Sequence, residues 1–158
     1  MSATGKRRKS RELAMQMLFQ ADVGKHTPDQ VRKTFWGSRD EVDAETRGFS
    51  EDIFRVATAR NEEIDALIQS HSANWRLSRM PAVDRNVLRT AIAELLGFPD
   101  TPVPVVINES LEIARRYSAP ESLNFLNGVL DAIAKQTKSS ALLSPATREA
   151  IGEEDELS

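Results

Sequence analysis

At 158 residues with 40% hydrophobic side chains and no cysteine, the chain can bury a core without covalent staples, and disulfides and thiolate metal sites are excluded. Two histidines alone make no zinc site. The net charge of −3 argues against nucleic acid in bulk, yet Lys6, Arg7, Arg8, Lys9 and Arg11 set five positive charges in six residues, and Glu149, Glu153, Glu154, Asp155 and Glu156 set five negative charges in eight.

In chain order, Met1 to Gly5 is small and polar and reads as disordered. The basic cluster leads into a helix whose stripe is Leu13, Ala14, Met17, Leu18 and Ala21. Two starts are open: Ser10 caps this helix, or the helix begins earlier and takes in the arginines. With Gln16 interrupting the apolar run and Asp22 following it, the segment is an amphipathic helix and not a signal peptide. Gly24 and Pro28 end it.

Pro28 to Phe35 is a short helix with Val31, Phe35 and Trp36 as its apolar side, broken by Gly37 and Ser38. The charged segment over 39–47 is a loop or the entry of the next helix, and a pattern through Phe49, Ile53, Val56, Ala57, Ile64, Leu67 and Ile68 predicts one long helix from Ala44 to about Ser70, some seven turns, linking two lobes. Asn74 to Met80 is a connection. Pro81 then opens a helix striped by Val83, Val87, Leu88, Ala91, Ile92, Leu95 and Leu96, which Gly97 to Asp100 terminates.

Thr101 to Lys135 reads as two helices with their punctuation. Thr101 is the expected N-cap, with Pro102 and Pro104 in the first turn. The first stripe is Val103, Ile107, Leu111 and Ala114, and the second Leu123, Leu126, Leu130 and Ile133. Between them Ser118-Ala119-Pro120-Glu121 has the form of a capping box. Gly128 inside the second helix costs about 0.5–1 kcal/mol relative to Ala, which a close helix contact would explain. Asn108, Glu109, Asn124 and Asn127 are polar residues that a plain hairpin does not require, and two readings stay open for each: a hydrogen-bonding task, or backbone capping and a solvated face. Beyond Lys135 the pattern fades, with one short helix candidate over 145–151 and a loose acidic end.

No strand is convincing and no stretch approaches a membrane span. The expected fold is all-α: two three-helix bundles joined by a long helix, with a loose acidic C-terminal tail. The divisions are a basic flexible arm over 1–8, a helical domain over 9–135 with lobes about 9–72 and 81–135, and an acidic tail over 136–158.

No enzyme signature is present. The seven glycines form no phosphate-cradling loop, and His26 and His71 lie in no nucleophile–base pattern. Glu62, Glu63 and Asp65, like Glu109 and Glu112, read as carboxylates on solvated helix faces. What remains is the basic N-terminus, either a solubilising tail or a phosphate-binding segment whose arginines also stack on bases. Composition does not choose among RNA, DNA and an acidic protein.

Three stretches choose. VVINESLEIARRYSAPESLNFLNGVLDAIAK is very similar to the C-terminal helical hairpin of the NusB family of transcription antitermination factors, and RRKSRELAMQMLFQAD and VDRNVLRTAIAELL also agree, in the family's order and spacing, over roughly residues 6–135. The resemblance implies a cofactor-free protein of two three-helix bundles. It would bind boxA RNA of ribosomal RNA leaders together with NusE, a small-subunit ribosomal protein, within an antitermination complex on RNA polymerase. It implies RNA contacts at Lys6, Arg7, Arg8, Arg11 and Gln16, and along the start of the last helix at Glu121, Ser122 and Phe125. NusE docking would involve Arg79 and Asp84. Monomers and homodimers both occur in the family, so oligomeric state stays open, and the expected location is the cytoplasm. The acidic extension departs from shorter members and would screen the basic patch. Two alternatives are a helical protein-interaction or rRNA-processing accessory module with an incidental basic arm, and the accessory part of an rRNA methyltransferase. For the second, 158 residues leave no room for a methyl-donor domain.

Overall fold

The first helix, α1, runs from Ala3 to Val23 in a computed structural model that describes residues 3–39 and 41–141. The basic cluster therefore lies inside a helix, and residues 3–8 of the expected flexible arm are helical. Ser10 does not cap it: its buried hydroxyl donates to the carbonyls of Lys6 (3.0 Å) and Thr46 (2.9 Å). Ala, Lys and Arg are good helix formers, so the helix extends back through the charged turn once packing anchors its apolar turns from Ser10 onward. Its end is sharp. A Cβ at Gly24 would stand 2.6 Å from the Gln20 carbonyl, and Lys25 takes a positive φ of 55°.

Helix α2, Pro28–Phe35, carries a capping box: Thr27 Oγ accepts from the Gln30 N–H at 3.2 Å, and Gln30 Oε1 from the Thr27 N–H at 2.8 Å. A 3-10 turn, Trp36–Ser38, comes next. Asp43 caps α3, Ala44–Ala59, by accepting from the Thr46 N–H at 2.7 Å. The long linking helix is not formed as expected. Arg60, at φ −111° and ψ 26°, separates α3 from α4, Asn61–Ser70. Buried Ile64 follows buried Ala57 at an offset of seven residues, close to two full turns, so the apolar phase passes unbroken through the interruption.

The remaining helices are α5, Ala82–Gly97, α6, Val103–Tyr117, and α7, Ser122–Ala141, with a 3-10 turn at Leu77–Arg79 before α5. The N-cap of α6 is Pro102 and not Thr101. The Ser118 capping box is absent: Ser118 closes α6, its hydroxyl has no hydrogen-bond partner among the described residues, and α7 begins only at Ser122. Helix α7 continues through 136–141, and the acidic cluster at 149–156 and the short helix over 145–151 lie outside the described residues.

The described residues form helices and the turns and connections between them, with no strand among them. Helix α5 packs against α1, α3, α4, α6 and α7. Chain order thus groups α1–α4 ahead of α5–α7, but their buried residues form one core, with Leu13, Met17, Ile53, Phe54, Leu88, Ile92, Leu126 and Leu130 at its centre. A Cβ at Gly128 would meet nothing within 4 Å, so no close helix contact explains that glycine.

Candidate nucleic-acid interface

Five cations in six residues cannot share one side of a helix, because each residue advances about 100°. Helix α1 therefore deals them to different neighbours. Arg11 turns inward: Nε and Nη2 donate to the two oxygens of Glu94 on α5 at 2.7 and 2.8 Å, with Arg11 5% and Glu94 1% exposed. It is an internal ion pair and not a surface cation, a departure from the expected RNA contact. Arg8 reaches sideways to Glu109 on α6, Nε at 2.6 Å and Nη2 at 3.1 Å, and that hydrogen bond raises its pKa above the ordinary arginine value. Arg8 keeps about two fifths of its side chain in solvent.

Arg7 is exposed, its guanidinium 3.9 Å from the ring centroid of Phe49. Lys6 lies 3.7 Å from Asp43 and 3.6 Å from Glu45, both exposed. Lys9 is exposed, 4.0 Å from Glu12. The surface cations at this end are thus Lys6, Arg7, the outer edge of Arg8, and Lys9.

Moving along α1, buried Glu12 accepts from Arg116 at 3.0 Å and from the Tyr117 hydroxyl. Burial, then the hydrogen bond to Glu12, push the Tyr117 pKa up. Gln16 donates to the same Tyr117 oxygen at 3.2 Å and accepts from Arg39 at 3.1 Å. The pairs Arg8–Glu109, Glu12–Arg116 and Gln16–Tyr117 show α1 and α6 running parallel, toward the turn that opens α7.

At that turn Glu121 is exposed, and Ser122 donates to Asp84 Oδ2 at 2.7 Å. Asp84 is 2% exposed, so it is a buried link from α5 to the start of α7 and not the docking contact expected of it. Arg79, by contrast, is exposed. Phe125 is half-buried, its ring 6.4 Å from that of Trp75, which is 54% exposed.

Periodicity and composition missed most of the carboxylates that organise this site. Glu109 and Asp65 are not on solvated faces: Glu109 is buried against Arg8, and Asp65 accepts both Nε and Nη2 of Arg89 at 2.8 and 3.1 Å. The signal available for Glu109 was its place on a helix whose stripe also includes Val106 and Ile113. Among the described residues no cluster of histidine and carboxylate could hold a metal ion.

The fold and the site define an all-helical protein that offers cations and aromatic rings along α1, the end of α6 and the start of α7. The model of the NusB family matches residues 8–135. The transcription antitermination protein NusB of Koribacter versatilis is 62% identical over 133 residues, covering 84% of this chain and 91% of that protein. Among solved structures, T. maritima NusB superposes with a TM-score of 0.75 at 35% identity, covering 82% of this chain and 90% of that one. A crystal structure of NusB and NusE in complex with double-stranded RNA gives 0.76 at 25% identity, covering 83% and 97%. The chain belongs to the NusB family.

Proposed function

We propose that this chain is a transcription antitermination factor that binds boxA-type RNA of ribosomal RNA transcripts together with NusE, as part of an antitermination complex on RNA polymerase. Family membership over residues 8–135 carries the reading, and the relative solved with NusE and double-stranded RNA supports both partners. In this reading Lys6, Arg7, Arg8 and Lys9 pair with phosphates, which attracts RNA and orients it without reading sequence. Gln16, Glu121, Ser122 and Phe125 lie along the RNA path, and Phe125 offers a ring edge to a base. Arg11 and Asp84 act from inside, fixing α1 on α5 and α7 on α5, and Arg79 faces NusE. The role is regulatory, not enzymatic, and needs no cofactor. No described helix is long and apolar enough to cross a membrane, and we place the protein in the cytoplasm, where transcripts are made.

Filter binding of a boxA RNA and a scrambled counterpart, each with and without NusE, tests this. Preference for boxA that strengthens with NusE is the expected result, and equal retention of both RNAs in every arm would overturn it.

A further inference from the structure

Trp75 is the most exposed large apolar side chain among the described residues, at 54%. A tryptophan left in water on a floppy loop would be unremarkable, but this backbone is clamped. Its N–H donates to the Ser72 carbonyl at 2.9 Å, and its carbonyl accepts from Gln69 Nε2 at 3.1 Å. The other end of the Gln69 amide accepts from the Leu77 N–H at 3.0 Å, and buried Ser72 is itself tied to the Ile68 carbonyl at 2.7 Å. One amide side chain thus brackets Trp75 and Arg76 and holds the indole outward beside Phe125, the two rings inclined at 54°.

The charges around it are equally distinctive. Arg76 and Arg79 are both exposed, and among the described residues they are the two arginines with no ion pair, no side-chain hydrogen bond and no aromatic ring beneath them. Beside Arg76 opens a polar cleft of about 730 Å³ lined also by Gln69, Ser78, Arg85 and Arg89. The carboxylate in that cleft, Asp22, is already neutralised by Arg85 and Arg89.

We infer that Trp75, with Phe125 and Arg76, forms a second RNA-contacting site, in which a base of a single-stranded segment stacks on the indole and Arg76 takes the adjoining phosphate. The inference rests on the RNA-binding reading above and extends it. Aromatic faces flanked by unpaired arginines are how single-stranded RNA is held without base-pair readout. Phe125 joins this site to the track along α1 and α6, since it lies one turn into α7 past Ser122 and the Tyr117 contact. A protein partner would also favour an exposed tryptophan. The unpaired Arg76 and the polar cleft beside it favour a polyanion.

The test compares Trp75→Ala, Trp75→Phe and Arg76→Ala with the parent, using a single-stranded boxA RNA, salt titration, NusE calorimetry and a thermal melt. Trp75→Ala is expected to weaken RNA binding about 5- to 150-fold with the salt slope and the melt unchanged, the usual range for one stacked base. Trp75→Phe should restore most of that loss, and Arg76→Ala should make the log–log salt slope shallower by about 0.7. In a Trp36→Phe background, which removes the buried indole, RNA should quench the remaining fluorescence. Parental RNA affinity in Trp75→Ala overturns the inference while leaving the broader RNA reading intact. Loss of NusE affinity alone assigns Trp75 to the protein interface and overturns it as well. A parent that binds no RNA in any arm defeats both readings together.

Discussion

Arg11 and Glu94 meet across the α1–α5 interface as a buried, two-hydrogen-bond pair, 83 residues apart in sequence. A buried pair of this kind adds little net stability against its desolvation, but breaking it leaves one charge uncompensated, at a cost of about 3–5 kcal/mol. Arg11→Ala should therefore lower the melting temperature sharply, whereas Arg7→Ala should leave it nearly unchanged. Replacing both partners, as Arg11→Met with Glu94→Leu, should recover most of the loss. Parental melting of Arg11→Ala would remove the pair from the core.

The same inward turn changes the expected salt dependence of RNA binding. With Arg11 internal, Lys6, Arg7, Arg8 and Lys9 remain on α1, and four contacts at about 0.7 each contribute roughly −2.8 to the log–log slope for single-stranded RNA, beside the contribution of Arg76. Replacing Arg7 and Lys9 by alanine should make the slope shallower by about 1.4 while the fold is kept. A slope unaltered in the double variant would move the phosphate site off α1.

Asp84 and Arg79 separate stability from docking. Asp84→Lys places an amino group in a buried position and removes the acceptor of the Ser122 hydroxyl, so the protein should lose several kcal/mol, and RNA and NusE binding should fall together. Arg79→Glu lies at the surface and should weaken NusE binding with an unchanged melt. Calorimetry beside a thermal scan distinguishes the two, and a fully stable Asp84→Lys protein would contradict the burial.

Acid should loosen the far end of α1. Burial alone would raise the Asp22 pKa, but hydrogen bonds from Arg85 and Asn86 and the charges of Arg85 and Arg89 outweigh it and hold the carboxyl below its ordinary value. A group depressed in the folded state contributes stability above its unfolded pKa, about 3.9, and loses it as pH falls through the folded value. The melting-temperature gap between the parent and Asp22→Asn should therefore be full at neutral pH and narrow below about pH 4. A gap that widened on acidification would reverse this sign.

Gly128 faces solvent with open space where a Cβ would stand. Gly128→Ala should stabilise α7 by about 0.5–1 kcal/mol, raising the melting temperature by about 1–4 °C. If a partner backbone approaches this face, the gain in stability will come with weaker NusE or RNA binding, which the filter assay reads.

What the sequence determined by itself is the helical periodicity and the family. Stripes such as Val87, Leu88, Ala91 and Ile92 on α5 are local patterns, legible because a helix repeats every 3.6 residues whatever surrounds it. The break at Arg60 was hidden for the same reason, since the apolar phase crosses it intact. Tertiary structure alone decided the fate of the charges. Arg7, Arg8 and Arg11 look equivalent in the sequence, yet one lies exposed over a phenyl ring, one grips Glu109 and one is buried on Glu94. Asp84 read as surface and is core. A charge's role is set by whichever group from a distant segment reaches it, at separations of 101 residues for Arg8, 83 for Arg11 and 38 for Asp84. No local pattern encodes a partner that far along the chain.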